Sequence, residues 1–260
     1  MKLITLGSGS KGNSTYIETQ NTKILIDSGL SFRETCKRLC SIGVSANDID
    51  AIFVTHEHGD HINGIPVFLK NCSNTKVYVH EPIISIIREK CKNINPLRIV
   101  PFDKEIILKD LTIKAFSVSH DSFDCVGYQV FDGKKYVGFA TDLGYFNQEI
   151  INFLVPCSLV VLEANHDVQK LIKNPHYPIQ TKARILSGKG HLSNDQSAEL
   201  IYILAQNKVK QIILAHLSEE NNTPILAFNT ICEYLKTKNI IEGVDIFIDV
   251  STQKDVGNFF

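Results

Sequence analysis

Three histidines and an aspartate fall within six consecutive residues, His56-Glu57-His58-Gly59-Asp60-His61, directly behind the apolar run AIFVT at 51–55. In extended backbone, residues i and i+2 project to the same side, so His56 and His58 can approach one ion together. Gly59 permits a turn that brings Asp60 and His61 to a neighbouring position. Imidazole and carboxylate are the ligands that borderline divalent metals take, and a loop carried by a rigid strand is a usual seat for functional groups. One hexapeptide cannot fill two coordination shells. Further candidates close other β-type runs: His120 in FSVSH, Asp142 in FATD and His216 in IILAH. A lone strand-end histidine is often structural, but together with the hexapeptide these three groups supply the missing ligands.

The elements that must position these groups follow from pattern. Residues 2–6, 14–19 and 22–27 read as sequential strands split by GSGSKGN and QN. Ser31 with Glu34 forms a capping box ahead of a helix to about Ile42. Strands are expected at 51–55 and 76–80, and a helix over 82–90 with proline at its first position. A β-rich stretch follows at about 105–141, with turns at Lys109-Asp110 and Asp132-Gly133. The last third alternates: strand 159–163, helix 194–206, strand 211–215, helix 224–238, strand 245–249. The pattern implies an α/β fold of two facing sheets with helices outside, in one domain spanning 1–260.

Composition narrows the class. The chain has 260 residues, 43% of them hydrophobic, and its length suffices for a core without disulfides. Its longest stretch without Asp, Glu, Lys or Arg, Ile150–Leu162, is shorter than the roughly 20 apolar residues a membrane span needs. The apolar run after Lys2 is too short for a signal peptide. The seven cysteines are scattered, with no CxxC, and read as reduced, mostly buried thiols of a cytoplasmic protein. Net charge is −1, so an anionic substrate must be held locally. Residues 168–194 offer a place for that, with Lys170, Lys173, Lys182, Arg184 and Lys189 but no acid.

His56-Glu57-His58-Gly59-Asp60-His61 resembles the HxHxDH signature of the metallo-β-lactamase fold superfamily. The aspartate of LIDSG (Asp27), His120, Asp142 and His216 match its other motifs in order. The resemblance spans nearly the whole chain and implies a four-layer αββα sandwich with two divalent ions, zinc or manganese, at one edge. It implies one ion on His56, His58 and His120, a second on Asp60, His61 and His216, and Asp142 between them. Asp27 would orient a ligand by hydrogen bonding.

Within that superfamily, His61 stands at the second-metal position and no cysteine stands where true β-lactamases carry a metal-binding one, which speaks against lactam hydrolysis. GKGHLSN resembles the tRNase Z segment in which a histidine precedes the last metal ligand and is partnered by the glutamate of an EA pair. By that resemblance His191 and Glu163 form a proton-delivery pair. LGSGSKGNS, THEHGDH, SHDSFDCVGY, TDLG, EANHD and GHLSN together are similar to the WalJ/YycJ-like family, regarded as DNA-acting exonucleases. The 74 residues from Asp142 to His216 leave no room for the inserted domain of β-CASP nucleases. No glycine-rich arm of the tRNase Z kind is present. The resemblance therefore implies metal-dependent phosphodiester hydrolysis of nucleic acid, DNA in the first place. Asp60, His191 and Glu163 are the catalytic residues in this reading, and Ser10, Asn13, His166, Lys182 and Arg184 the substrate contacts. The GSGSKGN amides are a further candidate for holding phosphate. A glyoxalase II-like thioesterase or lactonase would use the same metal ligands, but would leave His191, Glu163 and the basic segment without a task. A catalytically idle binding module is a third reading, which the complete ligand set opposes.

Overall fold

The structure is a computed structural model describing residues 1–260. The first half contributes β1 (Lys2–Gly7), β2 (Ser14–Glu18), β3 (Lys23–Ile26), α1 (Phe32–Ser41), β4 (Ala51–Val54), α2 (Gly59–Ile62), α3 (Ile65–Asn71), β5 (Lys76–His80), α4 (Ile84–Lys90) and β6 (Ile99–Phe102). Its strands form one sheet in sequence order, antiparallel through β3 and parallel from β3 to β6. The second half repeats that logic. It runs β7 (Glu105–Leu108), β8 (Leu111–Ser117), β9 (Val126–Phe131), β10 (Tyr136–Ala140), α5 (Gln148–Leu154), β11 (Cys157–Glu163), α6 (Val168–Lys173), α7 (Ile179–Ile185), α8 (Asn194–Gln206), β12 (Gln211–Ala215), α9 (Pro224–Thr237) and β13 (Phe247–Val250). This sheet is antiparallel from β7 to β10 and parallel from β10 to β13.

Three apolar clusters define four layers. The middle cluster joins inward residues of both sheets, such as Phe53 and Tyr78 from the first and Tyr128, Phe139 and Val161 from the second. The outer clusters seat α1, α3 and α4 on the first sheet and α5, α8 and α9 on the second. Strands covered on both faces should read as unbroken apolar runs rather than alternations. β11 does so: Leu159 and Val161 face the middle cluster, Val160 and Leu162 the outer one. Each fully buried aliphatic side chain of this kind contributes about 1.5–3 kcal/mol. The parallel halves place the carboxyl ends of β3, β4, β10, β11 and β12 along one edge, where α/β sheets present binding groups.

Several local expectations need correction. Ser31 Oγ accepts the Glu34 N–H at 3.3 Å, but the Glu34 carboxylate takes the Arg38 Nε–H at 2.8 Å instead of closing the capping box. Pro82 lies in a 3-10 turn, Glu81–Ile83, and the α-helix begins only at Ile84. The last strand starts at Phe247, because the Asp245 carboxylate accepts the Ile241 N–H at 2.8 Å and holds the preceding residues in a turn. β6 and five short helices (α2, α3, α5, α6 and α7) were not expected.

The chain returns to its start after β13. Phe260 and Leu3 exchange backbone hydrogen bonds at 3.0 and 2.9 Å, and the Gly257 N–H donates to Thr5 O at 2.9 Å. Gln253 accepts the Lys11 N–H and donates to Gly12 O, both at 2.8 Å. The C-terminal segment thereby covers the β1 edge and pins the glycine-serine loop.

Candidate metal centre

Three of the groups singled out from the sequence sit on strained backbone. Asp27, Asp142 and His216 have φ of 61°, 56° and 56°. The left-handed region is costly for non-glycine residues and is tolerated where a site needs a particular aim. Asp27 follows β3, Asp142 follows β10 and His216 follows β12, so each parallel strand ends in a reversal that turns one donor into the shared edge.

The histidine protons are assigned by their partners. Thr55 Oγ1 donates to Asp27 Oδ2 at 2.9 Å, so it accepts from His56 Nδ1 at 3.0 Å. His61 Nδ1 donates to Asp27 Oδ2 at 2.7 Å, and His120 Nδ1 to Gly190 O at 3.1 Å. His216 Nδ1 donates to Glu163 Oε1 at 3.1 Å. In all four rings Nε2 faces the centre, that of His61 lying 3.0 Å from Asn13 Nδ2. His58 differs, its Nδ1 lying 3.3 Å from His120 Nε2.

Donor atoms of His56, His58 and His120 lie within 4.8 Å of one another, as do those of Asp60, His61 and His216. Asp142 spans the two groups. Its Oδ2 is 3.3 Å from His61 Nε2, and its Oδ1 is 3.6 Å from His120 Nε2 and 3.5 Å from His216 Nε2. His56 Nε2 and Asp142 Oδ2 are buried without a hydrogen-bond partner, the signature of atoms built to hold something else. Burial works against charge here, yet His216, His61 and His56 hold Asp142 well below the usual carboxylate range. Conversely, despite its burial, the carboxylates of Asp142, Asp60 and Glu163 push His216 up to about 10. His56 is held well below its ordinary value by burial and by His61, which outweigh the opposing pull of Asp142. Such a concentration of buried carboxylate demands cations, and the mixed imidazole and carboxylate set fits zinc or manganese.

Neighbouring backbone leaves no slack. A Cβ on Gly29 would overlap the carbonyl oxygen of Asp60. Gly29→Ala should therefore cost about 1–3 kcal/mol, the scale of overpacking. Its melting temperature and its metal content should fall together; a normal metal content in a destabilised variant would separate the two.

Glu163 is fully buried and fully used. Oε1 accepts from His191 Nδ1 at 2.7 Å as well as from His216, while Oε2 accepts the N–H groups of Leu143 and Leu192 at 2.8 and 3.0 Å. Burial would raise its pKa, but the His191 and His216 contacts bring it down to about 2. His191 lines a cleft of about 250 Å³ with His58, Asp60, His120, Asp142 and His216.

The expected substrate contacts divide. Ser10 and Arg184 line the cleft, joined by Lys189; Arg184 pairs with Asp121 at 3.1 Å. Asn13 does not face the cleft: it is 7% exposed, accepts the Gly9 N–H at 2.8 Å and donates to Asp60 Oδ2 at 3.2 Å. Lys182 turns away to donate to Ile172 O at 2.7 Å. His166 is 1% exposed with neither ring nitrogen paired, and burial lowers it to about 4. The glycine-serine amides are largely spent internally, Lys11 on Gln253, Gly12 on Gly9 and Asn13 on Asp60 O. Two residues not singled out beforehand act on the centre. Thr55 links His56 to Asp27, and Asn165 Nδ2 donates to His216 O at 2.8 Å. Adjacency to the hexapeptide and membership of EANHD were the available signals.

The loop 118–125 that carries His120 is tied down by an ion pair, His80 Nδ1 to Asp124 Oδ2 at 2.5 Å. The hydrogen bond to Asp124 raises His80 above its ordinary value. This contribution to stability is complete below the unfolded-state pKa of about 6.5 and is lost as pH rises through the folded-state value. His80→Gln should flatten the alkaline side of the melting-temperature profile between about pH 6 and 8; an unchanged profile would contradict the assignment.

A two-sheet sandwich with an HxHxDH donor cluster at the carboxyl ends of its strands is the architecture of the metallo-β-lactamase fold. The family model described as "Beta-lactamase superfamily domain" matches residues 22–217 of the 260, and the chain belongs to that family. The chain is 35% identical over 249 residues to Exodeoxyribonuclease WalJ of Streptococcus pneumoniae, covering 94% of this chain and 91% of that protein. It is 32% identical over 246 residues to Exodeoxyribonuclease YycJ of Bacillus anthracis, covering 92% and 90%. Among solved structures, the metallo-β-lactamase fold protein YhfI of Bacillus subtilis aligns with a TM-score of 0.71 at 14% identity, over 100% of this chain and 98% of that one. That likeness shows the fold.

Proposed function

We propose that this chain is a metal-dependent exodeoxyribonuclease that hydrolyses phosphodiester bonds in the cleft at the edge its two sheets share. The observation that carries the reading is the His191–Glu163 pair, with His191 on the cleft wall beside two donor clusters and Glu163 buried behind it. An acyl-transfer reaction expelling a thiolate does not need that proton donor, whereas expelling a sugar alkoxide does. The nuclease activity named for the 35% and 32% identical relatives agrees.

His56, His58 and His120 would hold one divalent ion and Asp60, His61 and His216 a second, with Asp142 reaching both. When bound, such ions act as Lewis acids on phosphoryl oxygens and lower the pKa of water they hold. Arg184 and Lys189 draw the phosphate backbone to the cleft. Asp60, anchored by Asn13, orients the attacking oxygen. Glu163 keeps the His191 Nδ1–H in place, so Nε2 on the cleft side delivers a proton to the departing sugar oxygen.

The test is a gel assay of zinc- or manganese-loaded protein on a 5′-phosphorylated single-stranded DNA oligonucleotide, with Asp60→Ala as control. Stepwise shortening that the control lacks is the expected result. Intact DNA from protein shown to carry metal, with turnover of small thioesters, would overturn the reading in favour of the thioesterase. A cytoplasmic location fits the scattered, unpaired cysteines, and no helix is long and apolar enough to cross a membrane.

A further inference from the structure

Among the phenylalanine and tyrosine side chains, Phe123, Tyr145, Phe247 and Phe259 are substantially exposed. Phe247 lies on β13, the edge strand of the second sheet, and Phe259 in the C-terminal segment. The other two stand in equivalent places at the centre: Phe123 three residues after His120, Tyr145 three residues after Asp142. Phe123 is 73% exposed and Tyr145 47%. An aromatic ring left in water forfeits its hydrophobic stabilisation, and nothing in the fold returns it at these positions.

The loops that present them are held firmly. The Phe123 N–H donates to Glu57 Oε1 at 2.7 Å, fixing it to the hexapeptide, and its neighbour Asp124 is paired with His80. The Gly144 N–H donates to Ser119 O at 2.8 Å, and Ser119 Oγ donates to Gly188 O at 2.7 Å. The Tyr145 ring lies over Gly188, next to Lys189 on the cleft wall. Tyr145 thus stands beside Lys189, and Phe123 follows two residues after Asp121, the partner of Arg184. A positively charged groove combined with exposed aromatic rings is how single-stranded nucleic acid is held without sequence preference, because every base offers a π face.

Resting on the exonuclease reading above, we propose that Phe123 and Tyr145 are stacking platforms for unpaired bases of the strand being degraded. The platforms position the strand through its bases, while Arg184 and Lys189 attract its phosphates. Phe123 and Tyr145 are therefore positioning residues whose loss should appear in KM and leave kcat nearly unchanged.

The experiment compares metal-loaded wild type, Phe123→Ala, Phe123→Trp and Tyr145→Ala on an unstructured single-stranded oligonucleotide. A second oligonucleotide of equal length carries abasic residues at both ends. On the first, each alanine variant should raise KM roughly 5- to 150-fold, the range for one lost base stack, and Phe123→Trp should restore the wild-type value. On the abasic strand, variants and wild type should be equal within about twofold. Wild-type KM in the alanine variants on base-bearing DNA would overturn the proposal, as would an equal loss on the abasic strand. Failure of the wild type to degrade either strand would instead remove the exonuclease reading itself, and this proposal with it.

Discussion

Asp142→Asn should yield a folded protein whose kcat/KM on DNA is lower by about 10³-fold or more, on the scale set by loss of a group acting on transition-state charge. Asparagine is close in shape and tolerates the left-handed backbone that residue 142 adopts, so the chain reversal after β10 survives. What disappears is the negative charge. In the wild type that carboxylate lies 3.3–3.6 Å from the Nε2 atoms of His61, His120 and His216, which belong to both donor clusters. Its removal would leave ions held by the two clusters with more mutual repulsion and less compensation. Elemental analysis should therefore find metal lost along with activity, while circular dichroism is unchanged. A variant that keeps its full metal content and a tenth of wild-type turnover would show that Asp142 does not join the clusters.

His191→Ala is expected to separate two things that Asp142→Asn removes together. His191 belongs to neither triad; its Nδ1 donates to Glu163 at 2.7 Å and lies 3.8 Å from Asp142 Oδ1, so metal content should stay at the wild-type level while kcat falls about 10²- to 10⁴-fold, the usual worth of general acid catalysis. The loss should shrink on a thymidine 4-nitrophenyl phosphate ester, whose phenolate leaves without needing a proton. Equal losses on DNA and on the activated ester would contradict proton delivery. Glu163→Gln is a harsher change. One amide face must still accept from Leu143 and Leu192, and the NH₂ group then meets the His191 and His216 Nδ1–H donors. We expect that variant to lose melting temperature as well as turnover, measured by calorimetry beside the assay.

Much of the centre was legible because its groups obey strand geometry. His56 and His58 alternate at the end of β4, and His120, Asp142 and His216 each close an apolar run, so type and position pointed the same way. Helix α8 and strand β12 were equally plain, with a capping Ser193 and an unbroken apolar run. β6 was hidden by Pro101, which a sheet tolerates on its edge strand; α2, α3, α5, α6 and α7 have seven residues or fewer, too short for a period of 3.6 to declare itself. The expected substrate contacts divided for a related reason. Lys182 and Arg184 are two apart on helix α7, so they point to opposite sides, and composition alone does not tell which one meets the cleft. Asn13 and His166 were misread because burial, which decides whether a polar side chain serves substrate or scaffold, is a property of the assembled layers.

The C-terminal segment has a bearing on synthesis. A chain emerging from the ribosome delivers five of the centre's histidines and aspartates (Asp27, His56, His58, Asp60, His61) early and His216 late, and Gln253 later still. Until Gln253 arrives, the loop that brings Asn13 to Asp60 lacks its anchor at Lys11 and Gly12. Domains generally fold as units, and the inner face of the first sheet is covered only by the second, so the centre assembles once both halves have emerged. On the exonuclease reading, a nascent polypeptide held near nucleic acid therefore lacks a complete donor set until His216 has emerged.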